Sequence, residues 1–141
     1  MKIVALTPEH VLAVQMQQAQ AYASSLITAQ HAADLATAKG VAWAALDDDA
    51  TIACAGLLEM HPQRAMAWAM FSEDALRQFK TIHRIVSNVI EAAPWRRIEM
   101  TVDAQHHAAI AWAERLSFER EGLMAAYTPD GRDCFLYARV K

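Results

Sequence analysis

At 141 residues, 55% hydrophobic and 21% charged, the chain has the size and composition of one domain that buries its own core, which excludes an intrinsically disordered chain. A formal net charge of −3, with Lys and Arg scattered rather than gathered in a stripe, excludes a surface built to neutralise a phosphate backbone, so no nucleic-acid partner is expected. The two cysteines, Cys54 and Cys134, fall in separate predicted strands and read as small core residues of a cytoplasmic protein in a reducing compartment.

In chain order, residues 2–6 read as a short strand, stopped by Thr7-Pro8-Glu9 before an export signal could develop its apolar core. Thr7 is placed to cap a helix and Pro8 suits its first turn. That helix is expected to carry Val11, Leu12, Val14, Met16, Ala19 and Tyr22 inward, with Gln15, Gln17, Gln18 and Gln20 as an inert solvated face. A second helix is expected from Ser24-Ser25-Leu26 to Ala38, with Lys39-Gly40 as its C-terminal signal.

Val41 to Leu46 and Thr51 to Met60 flank the acidic turn Asp47-Asp48-Asp49-Ala50, the pattern of an antiparallel hairpin. His61-Pro62-Gln63 makes a second tight connection into a strand from Arg64 to Phe71, which sets Met66, Trp68 and Met70 on one side. No apolar run approaches the ~20 residues that span a bilayer, so no membrane segment is expected. Ser72-Glu73-Asp74 starts a helix whose Leu76, Phe79, Ile82, Val86, Val89 and Ile90 keep helical spacing up to Pro94. A strand over 97–102, a helix over 104–116, a strand within 117–126, the turn Thr128-Pro129-Asp130-Gly131 and a last strand over 134–140 complete the order.

The segment Ala111-Trp112-Ala113-Glu114-Arg115-Leu116-Ser117-Phe118-Glu119-Arg120-Glu121-Gly122 resembles the helix, Gly-Phe pair and sixth strand of the GNAT acyl-CoA N-acetyltransferases, with Ser117 where Gly is usual. Residues 127–140 resemble that superfamily's final hairpin, particularly in short GNAT-like proteins encoded by tailed phages. The resemblance spans nearly the whole chain. It implies one α/β domain over residues 1–141, a GNAT-like mixed, mostly antiparallel central sheet flanked by about four helices.

The resemblance further implies acetyl-CoA as co-substrate, with a small-molecule or protein amine as acceptor. In the superfamily a glycine-rich loop between the fourth strand and the next helix cradles the pyrophosphate on backbone N–H groups at a helix N-terminus. Here the implied cofactor residues are Phe71, Ser72, Gln78, Lys80, Thr81 and His83, and Thr81 and His83 fill the two glycine positions. Arg77, Lys80, His83 and Arg84 read either as phosphate partners or as a solvated helix face.

For chemistry, the implied mechanism is direct attack of an amine on the thioester, with a base for the amine proton and a tyrosine for the departing thiolate. The usual tyrosine position is Ala113, and the usual Asn position is His106. Glu59 is the candidate base, Glu73 reading better as a helix-start residue. Tyr127 is the candidate acid, with Tyr137 beside it. His61, His106 and His107 lack the spacing of a metal site, and no metal is expected.

Two readings follow. One is a GNAT-like N-acetyltransferase; the other is a non-catalytic virion or host-interaction protein on the same fold, in host cytosol or virion, for which lost glycines cost nothing. A homodimer or virion partner stays open. So does a ligand-binding homodimer whose seven methionines line a gap in the sheet.

Overall fold

The computed structural model describes residues 1–21 and 27–141. Among them are seven strands and five helices: β1 (Lys2–Ala5), α1 (Pro8–Ala13), α2 (Ala29–Thr37), β2 (Gly40–Asp47), β3 (Ala50–His61), β4 (Arg64–Phe71), α3 (Glu73–Arg77), α4 (Phe79–Ala92), β5 (Arg97–Asp103), α5 (His107–Arg115), β6 (Glu119–Met124) and β7 (Cys134–Val140). The strands are ordered β1-β2-β3-β4-β5-β7-β6 in a mixed, mostly antiparallel sheet, in which β4 and β5 are the parallel neighbours. The residues form two compact units: Met1–Glu59 with Ala67–Ala93, and Met60–Met66 with Pro94–Lys141.

In the first unit, Thr7 caps α1 as its sequence position predicts: its Oγ1 accepts from the His10 N–H, and His10 Nδ1 accepts from the Thr7 N–H at 3.0 Å. The helix then stops at Ala13 rather than running to Tyr22, which lies outside the described residues. A continued helix would send the Gln17 N–H to the Ala13 carbonyl; instead that N–H donates to the Phe71 carbonyl at 2.7 Å, and 18–21 form a single 3-10 turn. The tertiary partner outcompetes local propensity.

The expected start of the second helix at Ser24-Ser25-Leu26 also lies outside the described residues; Thr28 caps α2, its Oγ1 accepting from the His31 N–H at 3.1 Å. Gly40 does not end this helix. It opens β2 with φ +136°, and a Cβ there would lie 2.0 Å from the Leu57 carbonyl oxygen, so the glycine serves close strand approach. Asp48 (φ 47°) and Asp49 (φ 69°) take the two left-handed positions of a two-residue hairpin turn. Leu6, Val11, Ala32, Leu35, Ala44, Cys54 and Met70 bury together, with Trp68 against them.

The single helix expected after Ser72 is two. Gln78, with φ −100° and ψ 16°, interrupts it, and its N–H turns back to the Ala75 and Leu76 carbonyls. The buried positions Ala75, Ile82 and Ile90 keep helical spacing across the break, so periodicity could not show it.

In the second unit, β5 pairs with β4 over Arg64–Met66 and with β7 over its whole length, and β6 pairs with the far side of β7. α5 ends in a Schellman motif: the Phe118 N–H donates to the Ala113 carbonyl and the Ser117 N–H to the Glu114 carbonyl, both at 3.0 Å. Ser117 sits at the left-handed position with φ 68°.

Candidate functional site

The six residues read as a cofactor site follow one another along the end of β4, α3 and the first turns of α4, all in the first unit. The backbone groups of Phe71, Ser72 and Gln78 have protein partners. The Ser72 N–H donates to the Ile52 carbonyl at 2.9 Å, on the β3 side of β4. Ser72 Oγ accepts from the Ala75 N–H at 3.3 Å and so caps α3.

Because alternate residues of a strand present their backbone groups to alternate edges, Ala69 and Phe71 face the edge away from β3. There the Phe71 N–H donates to Gln20 Oε1 at 2.9 Å, Gln20 Nε2 donates to the Ala69 carbonyl at 3.1 Å, and the Phe71 carbonyl takes the Gln17 N–H. Gln17 is buried. The glutamines expected to form an inert face are thus in part a structural seam.

At the start of α4, Gln78 donates its N–H to Ala75 and accepts from Ile82, and its side chain makes no cap. Lys80 and Thr81 are exposed on the first turn. The His83 ring is partly buried, 6.2 Å from the Phe79 ring and with Nε2 3.5 Å from Ser87 Oγ. Arg84 is exposed, and Arg77 is paired with Asp74 at 2.6 Å. Glu73 stands in the first turn of α3, where its charge suits the helix dipole, and its Oε1 accepts from the Gln18 N–H at 3.4 Å. α4's N-terminus therefore offers an uncapped turn with a cation, which fits a phosphate group. The β4 edge, by contrast, is occupied by the chain's own amide.

The two candidate catalytic residues fall in different units. Glu59, its side chain 14% exposed, pairs with Lys39 Nζ at 3.1 Å. Tyr127 is 52% exposed at the turn after β6, where its N–H donates to the Arg132 carbonyl.

Within the second unit the better-connected tyrosine is Tyr137. It is fully buried; its hydroxyl donates to Glu114 Oε2 at 2.8 Å and accepts from Arg120 Nε and Nη2 at 3.1 and 2.9 Å. Burial, foremost, pushes this phenol above its ordinary pKa, so it stays protonated. Arg120 also stacks 3.7 Å over the Phe135 ring.

The same unit holds two buried carboxylates. Glu99 accepts from Arg64 and, at 2.7 Å, from Arg97, whose other nitrogens grip Glu121 at 2.6 and 3.0 Å. The hydrogen bond from Arg64, then that from Arg97, holds Glu99 below the usual carboxylate range against the opposing effect of burial. Asp103, bonded to Arg132 and to the Gln105 N–H, is lowered in the same way and lines a cavity of about 280 Å³ with Gln105, Gly131, Arg132 and Asp133. Both thiols are buried, and burial lifts Cys54 to about 12 and raises Cys134, so neither is a nucleophile.

No protein-family model matches the chain, and no curated protein matches it significantly. Solved structures do. The N-acetyltransferase from Staphylococcus aureus Mu50 superposes with a TM-score of 0.73 at 11% identity, covering 99% of this chain and 96% of that one. Aminoglycoside 6'-acetyltransferase type Ii gives 0.73 at 12%, covering 99% and 97%. The chain has the N-acetyltransferase fold. A ribosomal L7/L12 alpha-N-protein acetyltransferase, solved in complex with coenzyme A, matches with 0.59 at 17% over 72% of this chain and 62% of that one. With this GNAT fold in view, Gln17 and Gln20 stand out as residues no motif marks, the one sequence signal being the density of glutamine over 15–20.

Proposed function

We propose that the chain is a GNAT-like N-acetyltransferase that moves an acetyl group from acetyl-CoA to an amine. The observation that carries this reading is the match of the whole chain, end to end, to acetyltransferases of nearly its own length. Lys80 and Thr81, at the uncapped start of α4, would hold the phosphates, Thr81 through its N–H and hydroxyl and Lys80 through its charge.

Acetyl-CoA supplies a thioester whose C–S bond breaks as the amine nitrogen forms the new C–N bond, the sulfur leaving with the bonding electrons. Glu59 is the residue proposed to accept the amine proton, and Tyr127 the one proposed to protonate the sulfur. A neutral amine is the nucleophile, so turnover rises with pH as the acceptor loses its proton.

Calorimetric titration of acetyl-CoA tests the reading before any acceptor is known. Micromolar binding, weakened at least tenfold by Thr81→Glu, is the expected result, because a carboxylate at that turn repels the phosphates. An absence of heat or thermal shift at millimolar acetyl-CoA would overturn it. A non-catalytic protein on the same fold is the second reading. It is favoured by the occupied edge of β4 at Ala69 and Phe71.

A further inference from the structure

The backbone of β4 at Ala69 and Phe71 presents a carbonyl, an N–H and a carbonyl along one edge, the pattern to which an extended, amide-bearing chain binds as an added strand. In this structure the pattern is filled from within. The Gln20 side-chain amide spans Ala69 and Phe71 with one donor and one acceptor, and the Gln17 N–H takes the remaining Phe71 carbonyl. A primary amide held at both its oxygen and its nitrogen by residues i and i+2 of a strand copies the hydrogen bonding of a peptide-like ligand.

We infer that residues 17–20 form an internal strap whose Gln20 amide occupies the amide-binding edge of β4 and must leave before an extended amide ligand can bind there. This deepens the acetyltransferase reading and rests on it for the ligand, whose pantetheine arm carries two amides.

Three features support a strap that can be released. It is a 3-10 turn and irregular chain rather than a strand, so no ladder zips it to β4. Among the described residues its hydrogen bonds are to neutral backbone and to one exposed carboxylate: those to Ala69 and Phe71, an intra-strap contact from Gln17 Nε2 to Gln20 Oε1 at 3.4 Å, and the long bond from the Gln18 N–H to Glu73. Nor does its removal strand a buried charge: Glu73 is exposed to water, and the Ala69 and Phe71 groups the strap satisfies are neutral backbone amides that an incoming amide satisfies equally.

The affinity of such a site is reduced by the fraction of time the strap is off. Gln20→Ala removes both side-chain bonds, and Gln20→Asn, one methylene shorter, cannot span Ala69 and Phe71 together. The probes are acetyl-CoA and pantetheine, which has the same two amides without the nucleotide.

Both variants are expected to bind each probe on the order of tenfold more tightly than the wild type. Phe71 N–H exchange, measured without ligand, is expected to quicken in both variants while their denaturation midpoints stay near that of the wild type. Equal affinities in wild type and variants overturn the strap and leave the acetyltransferase reading standing. A gain for pantetheine, with acetyl-CoA bound no better than pantetheine by any form, upholds the strap and overturns the CoA reading. Absence of binding to either probe by all three forms overturns both, and an unchanged Phe71 exchange rate overturns the strap by itself.

Discussion

Ser117 occupies the left-handed C′ position of the Schellman motif that ends α5, a conformation that costs a residue with a Cβ on the order of 1 kcal/mol. Ser117→Gly is therefore expected to stabilise the fold by about 1 kcal/mol, offset in part by the freer unfolded chain. Denaturant unfolding should show a higher midpoint at an unchanged slope. Glu99 makes a second residue-scale case. Its folded pKa is lowered by Arg64 and Arg97, so the stability it contributes is present above the unfolded carboxylate value, about 4.3, and is lost as pH falls through the lower folded value. Glu99→Gln should lower stability at pH 7 and flatten its fall as pH drops below the unfolded carboxylate value, as followed by the denaturation midpoint on acidification. The sequence shows Ser117 as a departure from a Gly-Phe pattern, and the backbone angle supplies the reason for the pattern. It shows nothing of the Glu99 network, since Arg64, Arg97, Glu99 and Glu121 meet only once β5 lies between its neighbours.

Elements were legible where a local signal fixed them. The Thr7 cap, the paired aspartates of the β2–β3 turn and the Pro-Gly turn before β7 each act within four residues, and each appears where the residues predict. The end of α1 was not legible, because a distant Phe71 carbonyl decides it, and the break at Gln78 was hidden by an unbroken apolar phase. Gly40 carried a local signal with the wrong meaning: it reads as a helix stop and acts as the contact point of β2 on β3. Gly40→Ala is accordingly expected to destabilise by about 2–4 kcal/mol, since a Cβ would meet the Leu57 carbonyl at 2.0 Å in a backbone conformation alanine rarely adopts. Thermal denaturation is the check, with Gly131→Ala as a milder reference. That glycine also has positive φ, yet nothing lies within 4 Å of its Cβ direction.

At the scale of the whole molecule, strand order and the end motif carry the fold, whereas the chemistry of the site depends on which backbone groups remain open, a quantity that only the packed chain sets. The start of α4, proposed to hold the phosphates, and the edge of β4, proposed to take an amide, rest on different residues: Thr81 stands on the first turn of α4, and Gln20 contacts Ala69 and Phe71. If one extended ligand spans both, changes at the two places should act independently on its binding free energy. The double variant Gln20→Ala/Thr81→Glu is then expected to bind acetyl-CoA with the product of the two single effects, a gain near tenfold cancelling a loss near tenfold, within about 0.5 kcal/mol. Pantetheine, which lacks the phosphates, should gain from Gln20→Ala and ignore Thr81→Glu. Titration of the four forms with the two probes makes the check. A Thr81→Glu effect on pantetheine as large as that on acetyl-CoA would mean that the substitution disturbs α4 rather than a phosphate contact. A double variant no better than Thr81→Glu alone would mean that the strap opens only when the phosphates are already held, so that binding proceeds from the start of α4 toward the edge of β4.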